Sequence, residues 1–195
     1  MAIFSNPEVN VRRFAASRRI KLGAFLLRFL AFVLCAAAVI AMVTSREHKR
    51  VPVAIPGLRS NVGFDRTADY GYSKAFTYII TAATISAAYA LLQGARSLSS
   101  FYLGLETGGE CFSWFTLLGD QVMTYLLLAA GAASTEVVYV GENGIRPTAT
   151  WIALCVIFSK FCKHVVASII FTFLATIVFS ISTILSAYEL FHRYG

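Results

Sequence analysis

Two full charges, Arg28 and Asp120, stand well inside apolar stretches of this chain, and any intramembrane chemistry would have to start from them. Opposite charges in such surroundings can pair across helices and fix which faces meet, or they can serve as stations on an ion or proton path. Either charge alone in hydrocarbon costs at least about 2.5–3.5 kcal/mol on insertion scales, so a partner is the cheap solution. A conduction path needs several polar residues along one face, and only Gln121 and Thr124 stand near. The adopted reading is a structural pair, with a small four-helix transporter or channel using Arg28 and Asp120 as the alternative.

Other reactive residue types form no constellation. The histidines, His48, His164 and His192, are scattered, and no carboxylate–histidine cluster suggests a metal site. No Cys-x-x-Cys pair is present, which removes support for zinc or for a four-helix quinone reductase. No Gly-rich phosphate loop, serine elbow or paired acid is found. The expectation is no catalytic residue, no metal and no cofactor.

The elements that position these residues follow from composition. Hydrophobic residues make up 57% of the chain and charged ones 14%, with a mean hydropathy of +0.68. Soluble domains carry about 25% charged residues. The surplus apolar surface must therefore face lipid. Four windows reach the roughly 20 apolar residues that cross a bilayer: 24–43, 75–95, 112–133 and 165–190. Backbone in lipid must satisfy its own hydrogen bonds, and these runs lack the alternation of a barrel strand. The fold class is all-α, an integral membrane four-helix bundle. The first window follows a basic stretch like a signal peptide, but its apolar run exceeds the usual 7–15 residues, so it reads as a retained helix.

The net charge of +7 does not indicate nucleic acid. The cations gather in the N-terminal tail and in the loop from Arg46 to Lys74, flanking apolar spans, without any groove-reading motif. Orientation rests on them. The tail (1–23), second loop (96–111) and C-terminus (191–195) hold seven basic residues, while the other two loops (44–74 and 134–164) hold nine. The five packed between Arg12 and Lys21 precede the first helix, which weighs most, so both termini are assigned to the cytoplasm. Helices one and three then run in parallel. Arg28 lies about 7 residues beyond Lys21 and Asp120 about 8 beyond Phe112, which at 1.5 Å per residue puts both roughly 10–12 Å in from the cytoplasmic end.

The loop 44–74 contains Pro52 and Pro56 and should begin extended. In the loop 134–164, the stretch from Trp151 to Phe161 turns apolar again, as a surface-lying segment or an extension of the fourth helix. Cys155 and Cys162 fall on the side where an oxidising compartment permits disulfides. Cys35 reads as a small buried hydrophobe, and Cys111 stands at the cytoplasmic start of helix three. Small residues recur every fourth position at Ala82, Ser86, Ala90 and Gly94, and at Ser168, Thr172, Thr176 and Ser180. Such ridges let helices approach closely, within the chain or between copies.

The string Trp151-x3-Cys155-x5-Phe161-Cys162 resembles the second extracellular loop of the plant Casparian strip membrane domain proteins and their relatives. That family also has four spans, an arginine in the first and an aspartate in the third, matched by Arg28 and Asp120. The entry to helix two, Ser73-Lys74-Ala75-Phe76-Thr77-Tyr78 with Tyr89 following, is similar as well. The first outer loop, Val51-Pro52-Val53-Ala54-Ile55-Pro56, lacks the aromatic-rich signature of the endodermal founders, which makes this a Casparian strip-like member. The resemblance implies a multi-pass plasma-membrane scaffold that forms homo-oligomers, associates with related family members, and guides wall modification by recruiting secreted enzymes. Together with the placement on the oxidising side, it also implies a Cys155–Cys162 disulfide.

Overall fold

The computed structural model describes residues 7–53, 62–103, 110–143, 155 and 158–194. Four long helices carry the chain: α1 (Pro7–Val43), α2 (Lys74–Leu103), α3 (Glu110–Asn143) and α4 (Ser159–Tyr194). Each contains a stretch long and apolar enough to cross a membrane, Leu22–Val43, Lys74–Ser99, Ser113–Glu142 and Ser159–Tyr188. Every helix runs past its apolar window. A helix closes its hydrogen bonds internally wherever no breaker intervenes, so hydropathy marks the lipid-crossing part and not the helical part.

The ends have local causes. At the end of α1 the Thr44 hydroxyl folds back on the Ile40 carbonyl, and the Ser45 hydroxyl donates to the Met42 carbonyl at 2.5 Å, satisfying acceptors that have no further helical N–H. Ser73 caps α2: its hydroxyl accepts from the Ala75 N–H at 3.3 Å while its carbonyl accepts from Phe76 at 3.1 Å. Between α1 and α2 lies an antiparallel hairpin, β1 (Glu47–Val53) and β2 (Val62–Ala68), followed by one 3₁₀ turn at Tyr70–Tyr72. The proline argument anticipated extended chain but not its pairing. The register runs from Glu47 opposite Ala68 to Val53 opposite Val62, and it sets Pro52 opposite Gly63.

In the bundle α1 packs against α2 and α4, and α4 also packs against α3. The α2–α3 contact is smaller, and α1 and α3 stand diagonally. One core cluster joins Ala31, Cys35 and Ala38 to Ala83, Ala90, Leu127 and Phe179. A second, toward the hairpin end, joins Met42, Phe76, Ile79, Ala130, Val165 and Ile169. Both small-residue ridges lie within the bundle. Ala82, Ser86, Ala90 and Gly94 are buried, as are Ser168, Thr172 and Thr176, with Ser180 half-buried. Ser168 donates across the interface to the Ala38 carbonyl at 2.8 Å, a bond that only close backbone approach allows. These ridges therefore serve packing within the chain, and any contact between copies must use other faces.

Candidate functional site

The centre of the bundle is an ion pair between the diagonal helices. Arg28 extends from α1 and meets Asp120 of α3 in a fork, Nη1 to Oδ1 at 2.5 Å and Nη2 to Oδ2 at 2.6 Å. Asp120 is 0% exposed and Arg28 7%. The backbones of α1 and α3 scarcely approach, so the length of the arginine side chain bridges the diagonal. A bidentate guanidinium–carboxylate pair of this kind fixes orientation as well as distance. Gln121 and Thr124 add no polar path: Gln121 stays half-exposed, and the Thr124 hydroxyl returns to the Asp120 carbonyl at 2.8 Å.

Tyr89 of α2 completes the arrangement, a role that sequence reasoning did not identify. Its ring lies beneath the Arg28 guanidinium, 5.9 Å from Cζ to centroid, and 6.3 Å from the Phe179 ring. Its hydroxyl donates to the Thr116 carbonyl at 3.1 Å. Three helices thus contribute polar groups to one buried knot, and the fourth packs Phe179 against it. The ring fits because residue 119 is glycine: a β-carbon there would lie 2.5 Å from Tyr89 Oη. An isolated glycine inside an apolar helix is a recognised sign of close approach, and this was the available signal.

A second constellation joins the two loops at the hairpin end. Glu47, only 8% exposed, accepts a hydrogen bond from the Phe161 N–H at 3.0 Å. Phe161 is the third residue of α4, so a carboxylate from β1 performs the work of an N-cap, and its charge suits the positive end of the helix. The Phe161 ring packs edge-on against Phe76 at 6.0 Å. Cys162 bonds to Cys155 with Cα atoms 5.6 Å apart, inside the usual range for a disulfide. Cys155 Sγ passes close to Gly141 of α3, at 3.6 Å from where a β-carbon would sit. These contacts explain why α4 starts at Ser159 instead of Val165. Nothing in the sequence pointed to Glu47, because its partner is a backbone N–H more than a hundred residues away. Trp151 lies outside the described residues.

Nearby, Arg46 sits over the Tyr70 ring at 5.5 Å and stands 3.4 Å from Asp69 Oδ1, an ion-pair distance without hydrogen-bond geometry. The Tyr70 hydroxyl and then the Asp69 charge raise its pKa further, so it is a permanent cation. Among the described residues no group of three or more His, Cys, Asp or Glu side chains is placed to hold a metal ion.

Reducing the disulfide should loosen this end without unfolding the bundle. The closed loop is short, so loss of the bond lowers stability by about 2–3 kcal/mol at most. Cys155→Ser and Cys162→Ser should each lower the melting temperature in detergent to the value of the reduced wild type, and reductant should then have no further effect. Recovery of both residues as free thiols from intact membranes would sink this expectation.

A bundle of four membrane-crossing helices, tied by a buried ion pair and closed at one end by a hairpin and a disulfide, defines a polytopic membrane protein. Residues 17–178 match the model of the Casparian strip membrane protein domain. The chain is 35% identical over 186 residues to CASP-like protein 2U5 of Selaginella moellendorffii, covering 95% of this chain and 87% of that protein. It is 34% identical to CASP-like protein 2U6 of the same plant over the same shares, and 29% identical to CASP-like protein 2BC2 of Picea sitchensis, covering 94% of this chain and 73% of that protein. The chain belongs to the Casparian strip membrane protein domain family. No solved structure matches it.

Proposed function

We propose that this protein is a non-enzymatic scaffold of the plasma membrane, with both termini in the cytoplasm and the hairpin and disulfide loop outside. It self-associates into membrane platforms, includes related family members in them, and recruits secreted wall-modifying enzymes at the outer face. Family membership supports this reading. The structural observation that carries it is the inward commitment of the bundle's polar groups. Arg28 is paired with Asp120, Ser168 bonds to Ala38, and Thr172, Thr176 and Ser180 bond to carbonyls of their own helix. The surface left toward lipid carries large apolar side chains such as Leu26, Phe29, Ile85, Leu118 and Ile177. A conduit would instead need a polar stripe through the full membrane depth.

Subunit counting tests the proposal. The labelled full chain in lipid nanodiscs large enough for several copies should bleach in multiple steps. The apolar faces exposed around Phe115, Val122 and Ile184 should cross-link between copies. A particle that stays monomeric across a range of lipid compositions would overturn the scaffold reading.

A further inference from the structure

We propose that the hairpin and the first turns of α4 form one surface that binds a linear polyanion, a polymer with repeated carboxylates such as an acidic polysaccharide. As a physiological partner, it rests on the proposal that this end of the bundle faces outside. The surface does not exist in the sequence. Arg46 and the β1 strand lie in one loop and Lys160 and Lys163 in another, and the bond from Phe161 N–H to Glu47 brings the two together. Arg46, Lys160 and Lys163 are exposed there.

Among the described side chains the positive charges outnumber the acids available to them. Among the acids of the hairpin, Glu47 is committed to the α4 N-terminus, Asp69 stands beside Arg46, and Asp65 is set opposite Arg50. The register then places Lys49 directly opposite Arg66, a like-charge pairing that weakens a two-stranded ribbon. Neither Lys160 nor Lys163 makes an ion pair among the described residues, and no acid follows them in α4 before Glu189. The acids of α3 at this end, Glu136 and Glu142, stay exposed and unbridged to those lysines. A second reason favours a polymer over a lipid headgroup. Seven-residue strands at about 3.4 Å per residue make a ribbon roughly 24 Å long, and cations along it match a repeating anion better than a single phosphate.

The test uses the full chain in nanodiscs of neutral phosphatidylcholine, which leave both faces accessible and so make binding independent of orientation. Polygalacturonate oligomers should bind and neutral dextran should not. Affinity should fall steeply between about 50 and about 200 mM NaCl, because exposed charges are screened over a Debye length. Lys160→Gln/Lys163→Gln and Lys49→Gln/Arg66→Gln should each weaken binding by about fivefold or more. Glu47→Ala is the decisive variant. A net-charge effect predicts tighter binding when an acid is removed, whereas loss of the clasp separates the two cation groups and should weaken it. Neutralising Arg12, Arg13, Arg18, Arg19 and Lys21 should leave binding unchanged. Dependence on those N-terminal cations, indifference to the hairpin-end variants, or equal binding of dextran would overturn the proposal. It would also fail if phosphatidylglycerol nanodiscs abolished polymer binding and native mass spectra showed lipid retained through Lys160 and Lys163. Separately, an impermeant amine reagent on intact cells should label Lys160 and Lys163. Absence of labelling with binding intact would refute the outside placement and leave the surface standing.

Discussion

Asp120→Ala and Arg28→Ala should each destabilise the protein by about 3–5 kcal/mol, because each strands a full charge in low dielectric. The stranded group loses both hydrogen bonds of the fork, and among the described residues neither Arg28 nor Asp120 has a second ion-pair partner to replace it. The effect should appear as early aggregation in fluorescence-detected size-exclusion thermal melts, and as reduced abundance in cell membranes. Arg28→Met/Asp120→Leu should be less harmful than either single change, since it leaves no orphan charge, and the shortfall from additivity measures the coupling of the pair. A transport site predicts a different pattern: single variants that assemble and traffic like wild type and lose only flux. That pattern would displace the structural reading of the pair.

Gly119→Ala should destabilise although alanine is the better helix former. The propensity gain is about 1 kcal/mol. Against it, the new β-carbon would lie 2.5 Å from Tyr89 Oη and 2.9 Å from two ring carbons. The ring cannot swing away freely, because it is held by the Thr116 carbonyl, by Phe179 and beneath Arg28. Overpacking of this kind costs about 1–3 kcal/mol and wins over propensity, and Gly119→Leu should be worse. Two controls isolate the cause. Gly94→Ala, whose β-carbon would meet Arg28 Cβ at an ordinary 3.9 Å, should be neutral or stabilising. In a Tyr89→Ala background the Gly119→Ala penalty should vanish. A rise in melting temperature for Gly119→Ala in the otherwise native chain would show that Tyr89 is not what requires the glycine.

The spans were legible because the bilayer is a severe solvent. Runs such as 24–43 and 165–190 admit one backbone solution, and hydropathy alone reveals them. The Arg28–Asp120 contact was also within reach, since two opposite charges at matching depth have few other ways to avoid hydrocarbon. What could not be read was the route of the contact. Parallel helices at equal depth are neighbours in some bundles and diagonals in others, and only packing sets α1 and α3 across this one with Tyr89 beneath the bridge.

The small-residue ridges show the same division. Their four-residue spacing announces that something approaches α2 and α4 closely. Whether that is another helix of the chain or another copy depends on which faces the remaining helices occupy, and the structure places both ridges inside. At the hairpin end the sequence determined little beyond extended chain near Pro52. Strand register and the bond from Phe161 to Glu47 are long-range choices, made by a buried carboxylate finding a helix end far away in sequence. Local patterning thus decided what each segment is, because that depends on its own solvent and its own hydrogen bonds. Tertiary structure decided which segments share charges and space, because those energies exist only between elements that packing has brought together.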